Sequence, residues 1–176
     1  PMNLARLRTY TDAIAADNDA TWKARLMIET GRFPTAQAGT YWLRVVDKKF
    51  SRGKTYVIAE NCMNGLQKPA LAAMLRHELG GGTPTPYEPL FTSEWAFPII
   101  AHGDESRAET VDIVGNLCCA ADVLTEDFTG PELAVGDLIE VRNAGAYACT
   151  LTAQRFSSHQ PPRELLVYGD GRVETE

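Results

Sequence analysis

Three short stretches of the sequence place polar groups beside small residues. They are 29–32 (Glu-Thr-Gly-Arg), 115–122 (Gly-Asn-Leu-Cys-Cys-Ala-Ala-Asp) and 145–147 (Gly-Ala-Tyr). Small neighbours let a backbone amide and a ligand approach each other closely, which favours anion binding. A thiol at the end of a strand can act as a proton donor or as a nucleophile. These stretches are therefore the candidates for chemistry.

Each of these residue types also has an ordinary structural role. Cysteine is among the most buried residue types, so Cys118 taken alone is more often part of a core than a catalyst. Tyr147 lies in a predicted strand, where tyrosine is usually a packing residue, and Arg32 taken alone is usually a solvated charge. A functional prediction therefore depends on the order of the stretches along the chain.

The cysteines and histidines lack the spacing of a structural zinc site. No Cys-x-x-Cys and no His-x-x-x-His pair occurs among the cysteines at 62, 118, 119 and 149 and the histidines at 77, 102 and 159. Free thiols without a basic-then-apolar N-terminal signal predict a cytoplasmic protein. The glycines at 80–82 lack the lysine and hydroxyl of a phosphate-binding loop and follow a predicted helix, so a plain loop is predicted there.

The composition predicts a globular protein. The 176 residues are 44% hydrophobic and 23% charged, which is enough apolar material for a buried core in one domain. The formal net charge is -6 and the sequence has no basic patch, so neither nucleic acid nor an anionic membrane is a predicted partner. The longest apolar runs, such as 95–101, fall well short of the ~20 residues of a membrane helix.

The elements that must position these residues are mostly short strands. The apolar spacing predicts a surface helix over 3–16 and a second helix over 69–79. The aromatic and β-branched residues at 41–46 and 55–59 predict a hairpin. Further strands are predicted over 24–28, 95–101, 109–114, 138–142, 146–151 and 164–168, with turns at 129–131 and 136–137. Many short strands at this spacing predict a β-sandwich or barrel.

The order of the motifs resembles the C-terminal part of the fold type III pyridoxal-phosphate decarboxylases, the family of the diaminopimelate, ornithine and carboxynorspermidine decarboxylases. The resemblance runs from about residue 24 to about residue 168. It is carried by Glu-x-Gly-Arg (29–32), Met-Asn-Gly-Leu-Gln-Lys-Pro-Ala-Leu (63–71), Val-Gly-Asn-Leu-Cys (114–118) with Asp122, Asp-Leu (137–138), Asn-Ala-Gly-Ala-Tyr (143–147) and Pro-Arg-Glu (162–164).

The resemblance implies a mainly β domain with short helices that follows a β/α barrel. Residues 1–32 would be the last helix and strand of that barrel, and 33–176 the β-rich domain. Members of the family bind pyridoxal 5'-phosphate through a lysine of the barrel and act as homodimers with active sites at the subunit interface. The resemblance therefore implies a fragment that needs an N-terminal barrel, a second copy and an amino-acid substrate.

The resemblance also implies roles for single residues. Glu29 resembles the acidic residue that pairs with the pyridine nitrogen of the cofactor. Gly31, Arg32 and Tyr147 resemble the residues that hold its phosphate through an amide, a guanidinium and a hydroxyl. Cys118 resembles the cysteine presented from the partner subunit, which reprotonates the substrate carbon after carbon dioxide leaves.

The expected substrate residues are Lys68, Cys119 and Asp122. Lys68 stands where the family commonly has an arginine that grips a substrate carboxylate, so the charge is kept and the bidentate geometry is lost. Cys119 replaces an acidic residue that commonly contacts the distal amino group of the substrate. With Ala72 in place of the usual tyrosine and Ala120 in place of a frequent serine, these changes predict an unusual distal end of the substrate.

Two other functions compete with a decarboxylase domain. One is a non-catalytic binding or regulatory module whose β-sheet face docks a partner. The other is a freestanding thiol enzyme that uses Cys118 or Cys119 with a histidine, although neither cysteine lies in a recognisable nucleophile motif. The order of the motifs favours the decarboxylase domain.

Overall fold

A computed structural model describes residues 4–17, 27, 29, 31–71 and 96–175. Its helices and strands are α1 (Leu4–Asp17), β1 (Thr40–Ser51), β2 (Lys54–Ala59), β3 (Ile99–His102), β4 (Asp104–Gly115), β5 (Val123–Glu132), β6 (Leu138–Arg142), β7 (Leu165–Val167) and β8 (Val173–Thr175). Three 3-10 helices are added at Ala36–Ala38, Cys149–Leu151 and Phe156–Ser158, and 67–71 is helical. The mainly β fold that the sequence predicts is confirmed.

One six-stranded sheet contains most of the strands, in the order β3-β6-β1-β2-β4-β5. All of its neighbours are antiparallel except β2 and β4, which are parallel. A single residue, Gly103, separates β3 from β4, although β3 is at one edge and β4 is next to the other. The sheet must therefore curl until β3 lies near β5, and these two edge strands do approach each other. The result is a nearly closed barrel.

The β1–β2 hairpin forms because its turn has the required backbone conformations. Arg52 and Gly53, between the paired residues Ser51 and Lys54, have φ angles of 52° and 85°. Glycine adopts positive φ without a steric cost, so the position suits the turn. The predicted hairpin is confirmed, and both of its strands extend beyond the predicted ranges.

The core is formed by residues that alternate along four neighbouring strands. Alternate side chains point to opposite faces of a strand, so one face of the curled sheet is apolar. Members of this buried set are Leu43 and Val45 of β1, Val57 and Ala59 of β2, Val111 and Ile113 of β4, and Ile139 and Val141 of β6. Residues 4–16 of helix α1 are exposed, and no helix in the described part of the chain is long and apolar enough to cross a membrane.

Two predictions on the C-terminal half are wrong. Residues 146–151 form a bend followed by a 3-10 helix and not a strand, because Tyr147 has a φ of 58°, outside the strand region. Residues 129–131 lie within β5 and not in a turn. Pro131 is tolerated there because β5 is an edge strand, where a missing amide donor leaves no partner unsatisfied.

Most of the residues of two other predicted elements lie outside the described ranges. In the predicted strand 24–28 only Met27 is described, and it is 80% exposed and not in a strand. The predicted helix 69–79 is described only up to residue 71, and the helical conformation there begins at residue 67.

Candidate functional site

One group of site residues forms where two irregular segments meet. The segment 31–39 precedes β1 and the segment 143–147 follows β6, and these strands are paired. The Ala144 amide donates to the Gly39 carbonyl at 2.9 Å, and the Gly145 amide donates to the Ala36 carbonyl at 3.0 Å. A β-carbon on Gly145 would lie 2.0 Å from the Thr35 carbonyl oxygen, so this approach requires glycine.

Arg32 is held at the centre of this group. Its Nη1 donates to the Ala146 carbonyl at 3.0 Å. Its guanidinium carbon lies 5.1 Å from the centre of the Tyr147 ring and 5.2 Å from that of Phe97, which are cation–π distances. A β-carbon on Gly31 would lie 3.0 Å from the Tyr147 hydroxyl. The predicted phosphate-binding residues Gly31, Arg32 and Tyr147 therefore lie together.

This donor set suits an anion with several oxygens. A guanidinium presents a planar fork of N–H donors that matches a phosphate, and its aromatic neighbours fix its orientation. Tyr147 is 47% exposed, so a ligand can reach this residue from solvent. Phe97, which the sequence did not single out, is buried and supplies one of the two rings beside Arg32. The sequence predicted a strand over 95–101, but Phe97 lies in a bend before β3, and the strand prediction gave no sign of its contact with Arg32.

A second group forms at one end of the barrel because β2 and β4 are parallel. Ala59 and Gly115 are paired at the ends of these strands, so the loops that follow them leave the barrel side by side. The loop after β2 contains Met63 and leads to Lys68, and the loop after β4 contains Cys118. Antiparallel neighbours would have sent the two loops to opposite ends of the barrel.

The carboxylate of Asp122 connects these two loops. Its Oδ1 accepts a hydrogen bond from the Met63 amide at 2.7 Å, and its Oδ2 accepts one from the Leu117 amide at 2.9 Å. The residue is only 3% exposed. Burial, and then the neighbouring Asp122 carboxylate, raise the pKa of the Cys62 thiol beside it.

The loop after β2 is anchored a second time by polar side chains. The Tyr41 hydroxyl donates to the Asn61 carbonyl, and Asn64 Nδ2 donates to Asn61 Oδ1 at 2.7 Å. Burial raises the pKa of Tyr41, with smaller contributions from Cys62, Glu60 and Asp122, so the hydroxyl stays protonated and able to donate. The loop that leads from β2 to the buried Lys68 is therefore held by several hydrogen bonds.

The remaining predicted site residues lie at the surface or close to it. Cys118 is exposed, and its Sγ lies 3.7 Å from Ser157 Oγ. Cys119 is half-buried, and its carbonyl accepts the Asp122 amide at 3.1 Å. Glu29 is exposed. Within the described residues no hydrogen bond or ring contact joins Cys118 to Tyr147; the contacts found are those of Cys118 with Ser157 and of Tyr147 with Arg32.

Comparison with known proteins identifies the family of this domain. Residues 14–145 match the family model described as "Pyridoxal-dependent decarboxylase, C-terminal sheet domain". The chain belongs to the pyridoxal-dependent decarboxylases. The resemblance inferred from the order of the motifs is thereby confirmed.

Two curated relatives and one solved structure show how this pyridoxal-dependent decarboxylase domain relates to longer proteins. It is 29% identical over 160 residues to the L-glutamyl-[BtrI acyl-carrier protein] decarboxylase of Niallia circulans, covering 90% of the chain and 35% of the relative. It is 29% identical over 168 residues to a Neisseria meningitidis diaminopimelate decarboxylase, covering 96% and 35%. The diaminopimelate decarboxylase of M. jannaschii, solved with L-lysine, matches at 24% identity and a TM-score of 0.69, covering 94% and 33%.

The decarboxylase domain matches only part of the length of each of these proteins. The chain spans about a third of the length of the curated relatives that it matches. The likeness to the M. jannaschii protein shows the same fold.

Proposed function

We propose that this chain is the C-terminal part of an amino-acid decarboxylase that uses pyridoxal 5'-phosphate. Residues 1–32 would end a β/α barrel, and 33–176 would form the β-rich domain that packs against it. The observation that carries the proposal is the grouping of Gly31, Arg32 and Tyr147 into one anion-binding donor set. The barrel would supply the lysine that binds the cofactor covalently, so the isolated chain is expected to be inactive.

The donor set fits the cofactor's phosphate. The Arg32 guanidinium and the Tyr147 hydroxyl would bind phosphate oxygens, with the Gly31 amide close enough to add a third donor. Glu29 precedes this group by two residues and would keep the pyridine nitrogen protonated. When bound, the cofactor supplies the electron sink for loss of the α-carboxylate.

Cys118 would complete the site from a second copy of the chain. Its thiol is exposed and contacts Ser157, whereas Tyr147 contacts Arg32. A homodimer would place Cys118 of one copy beside the phosphate group of the other. There the thiol would give a proton to the α-carbon after carbon dioxide has left.

The substrate we propose is an α-amino acid without a distal ammonium group. Lys68 would bind a substrate carboxylate as a point charge. Cys119 has no fixed charge to pair with a distal ammonium, because it replaces the acidic residue common in the family. The Niallia circulans relative is named for an L-glutamyl group, which has no distal amino group. A glutamyl-type substrate is therefore favoured over diaminopimelate and ornithine.

The test of this function uses the chain joined to its upstream barrel. Cofactor added to the complete protein is expected to give the visible absorbance band of covalently bound cofactor, and the chain alone almost none. Carbon dioxide release is then measured with glutamate, a glutamyl thioester, diaminopimelate and ornithine at equal concentration.

The outcomes test the binding of the cofactor and the class of substrate separately. A complete protein that gives no cofactor band defeats the proposed function. A band with fastest turnover on diaminopimelate keeps the decarboxylase and defeats the substrate class. Capture of a protein partner by a complete protein that binds no cofactor would favour the binding module.

A further inference from the structure

Asp122 is connected to both loops that carry predicted substrate-facing residues. One carboxylate oxygen accepts the Met63 amide, and Met63 lies in the turn that leads to the helical residues 67–71, which include Lys68. The other oxygen accepts the Leu117 amide, and Leu117 is next to Cys118. A hydrogen bond to a charged acceptor is roughly twice as strong as a neutral one, so one side chain links two loops firmly.

The backbone of Asp122 is fixed as well. Its amide donates to the Cys119 carbonyl at 3.1 Å, and its carbonyl accepts the Gly115 amide at 2.7 Å. A β-carbon on Gly115 would lie 1.9 Å from Asp122 Oδ2, so glycine leaves the space that the carboxylate occupies. Both side-chain oxygens therefore face protein donors in a residue that is 3% exposed.

We propose that Asp122 is a positioning residue, which holds Cys118 at a fixed place relative to Lys68 without touching the substrate itself. This replaces the role in substrate binding that the motif suggested for Asp122. Its catalytic consequence rests on the proposed function, whereas the link between the loops stands on the hydrogen bonds alone. A shift of about 1 Å in a reacting group can cost about 100-fold in rate, so a loop that is not fixed would lower turnover.

The variant Asp122→Asn tests this role with little change in shape. An amide keeps one acceptor oxygen and replaces the other with an N–H donor, so one of the two loop contacts is lost. Asp112→Asn is the matched control. Asp112 is 5% exposed, accepts the Asp127 amide at 2.8 Å and pairs with Lys54, but it lies within β4 and holds neither loop.

Hydrogen exchange of the 176-residue chain reports the link directly. In Asp122→Asn the amides of Met63 or Leu117 are expected to exchange at least tenfold faster than in the wild type. In Asp112→Asn the same amides are expected to keep their wild-type rates. Unchanged exchange at both amides in Asp122→Asn would overturn the proposal.

Kinetics of the complete enzyme report the consequence. In Asp122→Asn, kcat is expected to fall at least tenfold with KM within threefold of the wild type, because the proton donor moves while the loop leading to Lys68 keeps its second anchor through Tyr41 and Asn64. A mainly structural role would instead give the same kcat and KM as Asp112→Asn at a similar loss of thermal stability, and this would overturn the proposal. If the wild-type enzyme decarboxylates no amino acid, the proposed function has failed and the exchange rates still decide on the loop link.

Discussion

The guanidinium of Arg32 lies 5.1 Å from the centre of the Tyr147 ring, although Arg32 precedes all six barrel strands in the sequence and Tyr147 follows them. The contact exists because β1 and β6 pair and bring the segments next to them together. A cation that contacts aromatic rings loses little conformational freedom when it binds a ligand. The proposed phosphate site is therefore expected to be preorganised.

Replacing Arg32 with lysine should weaken cofactor binding. Arg32→Lys keeps the positive charge but removes the fork and the stacking, so we expect the Kd of pyridoxal 5'-phosphate to rise about tenfold in the complete enzyme. Fluorescence titration measures this Kd. Arg172→Lys is the control, since Arg172 stacks at 4.2 Å on Tyr168, near the β7–β8 hairpin. Equal Kd values for the two variants would contradict the assignment of Arg32.

Removing the hydroxyl oxygen of Tyr147 separates its proposed contact with the phosphate from the contact of its ring with Arg32. Tyr147→Phe keeps the ring beside Arg32 and deletes the hydroxyl, so cofactor affinity should fall by about 1 kcal/mol with no loss of thermal stability. Tyr147→Ala should lose more affinity, because the ring contact is lost as well. Calorimetric titration and thermal melts test both. A Phe variant with wild-type affinity would exclude the hydroxyl from the phosphate site.

Two inactive variants of the complete enzyme should restore each other's activity if the site is shared between copies. Cys118→Ala and Arg32→Ala lie on opposite sides of the proposed interface. Random pairing of the mixed variants gives dimers with one intact site, so activity should approach about a quarter of the wild type. Mixing two separately prepared samples of Cys118→Ala is the control. A mixture that stays inactive would place both residues in one copy's site.

The space beside Asp122 gives a prediction on stability. Gly115→Ala places a β-carbon against the carboxylate, so unfolding free energy should fall by about 1–3 kcal/mol. Gly169→Ala is the control, because its β-carbon would meet nothing within 4 Å. Denaturant titration of the chain measures both. A neutral Gly115→Ala would show that the β4 end can relax around Asp122.

The buried thiol of Cys62 should make the chain less stable in alkali. The unfolded chain loses this proton near pH 8.5, whereas the raised pKa keeps it bound in the folded chain. The contribution to stability is therefore complete below about pH 8.5 and falls as pH rises towards the folded pKa. Melting temperatures between about pH 7 and 10 should fall less steeply in Cys62→Ala than in the wild type. Cys118→Ala, which removes an exposed thiol, should keep the wild-type slope.

Sequence patterns predicted those strands that are determined by residues close to them in the sequence. The β1–β2 hairpin has its turn residues in sequence, and β6 was predicted with its observed ends because alternation and the preceding turn define it. Strand β5 was missed because its charged outer positions and its Thr-Gly-Pro segment resemble a turn. Only its place at the sheet edge, which is a tertiary property, makes that sequence acceptable in a strand.

The site residues also divide into those that sequence motifs identify and those whose role depends on tertiary contacts. The motif order assigned Gly31, Arg32 and Tyr147 to one predicted site, and these residues lie near each other in the fold, although Tyr147 lies in a bend and not in the predicted strand. The hydrogen bonds of Asp122 were beyond sequence reasoning, since they depend on β2 and β4 lying parallel. That pairing joins segments separated by another strand and could not be read from residue types.

The single residue between β3 and β4 limits how this barrel can be recombined. Because Gly103 joins strands from the two sides of the closure, a fusion of two relatives there would pair β3 with β6, and β2 with β4, from different parents. Chimaeras between relatives should therefore exchange 99–142 as one block. New chain ends are better introduced at Gly171, in the exposed β7–β8 turn, where no barrel strand would be divided.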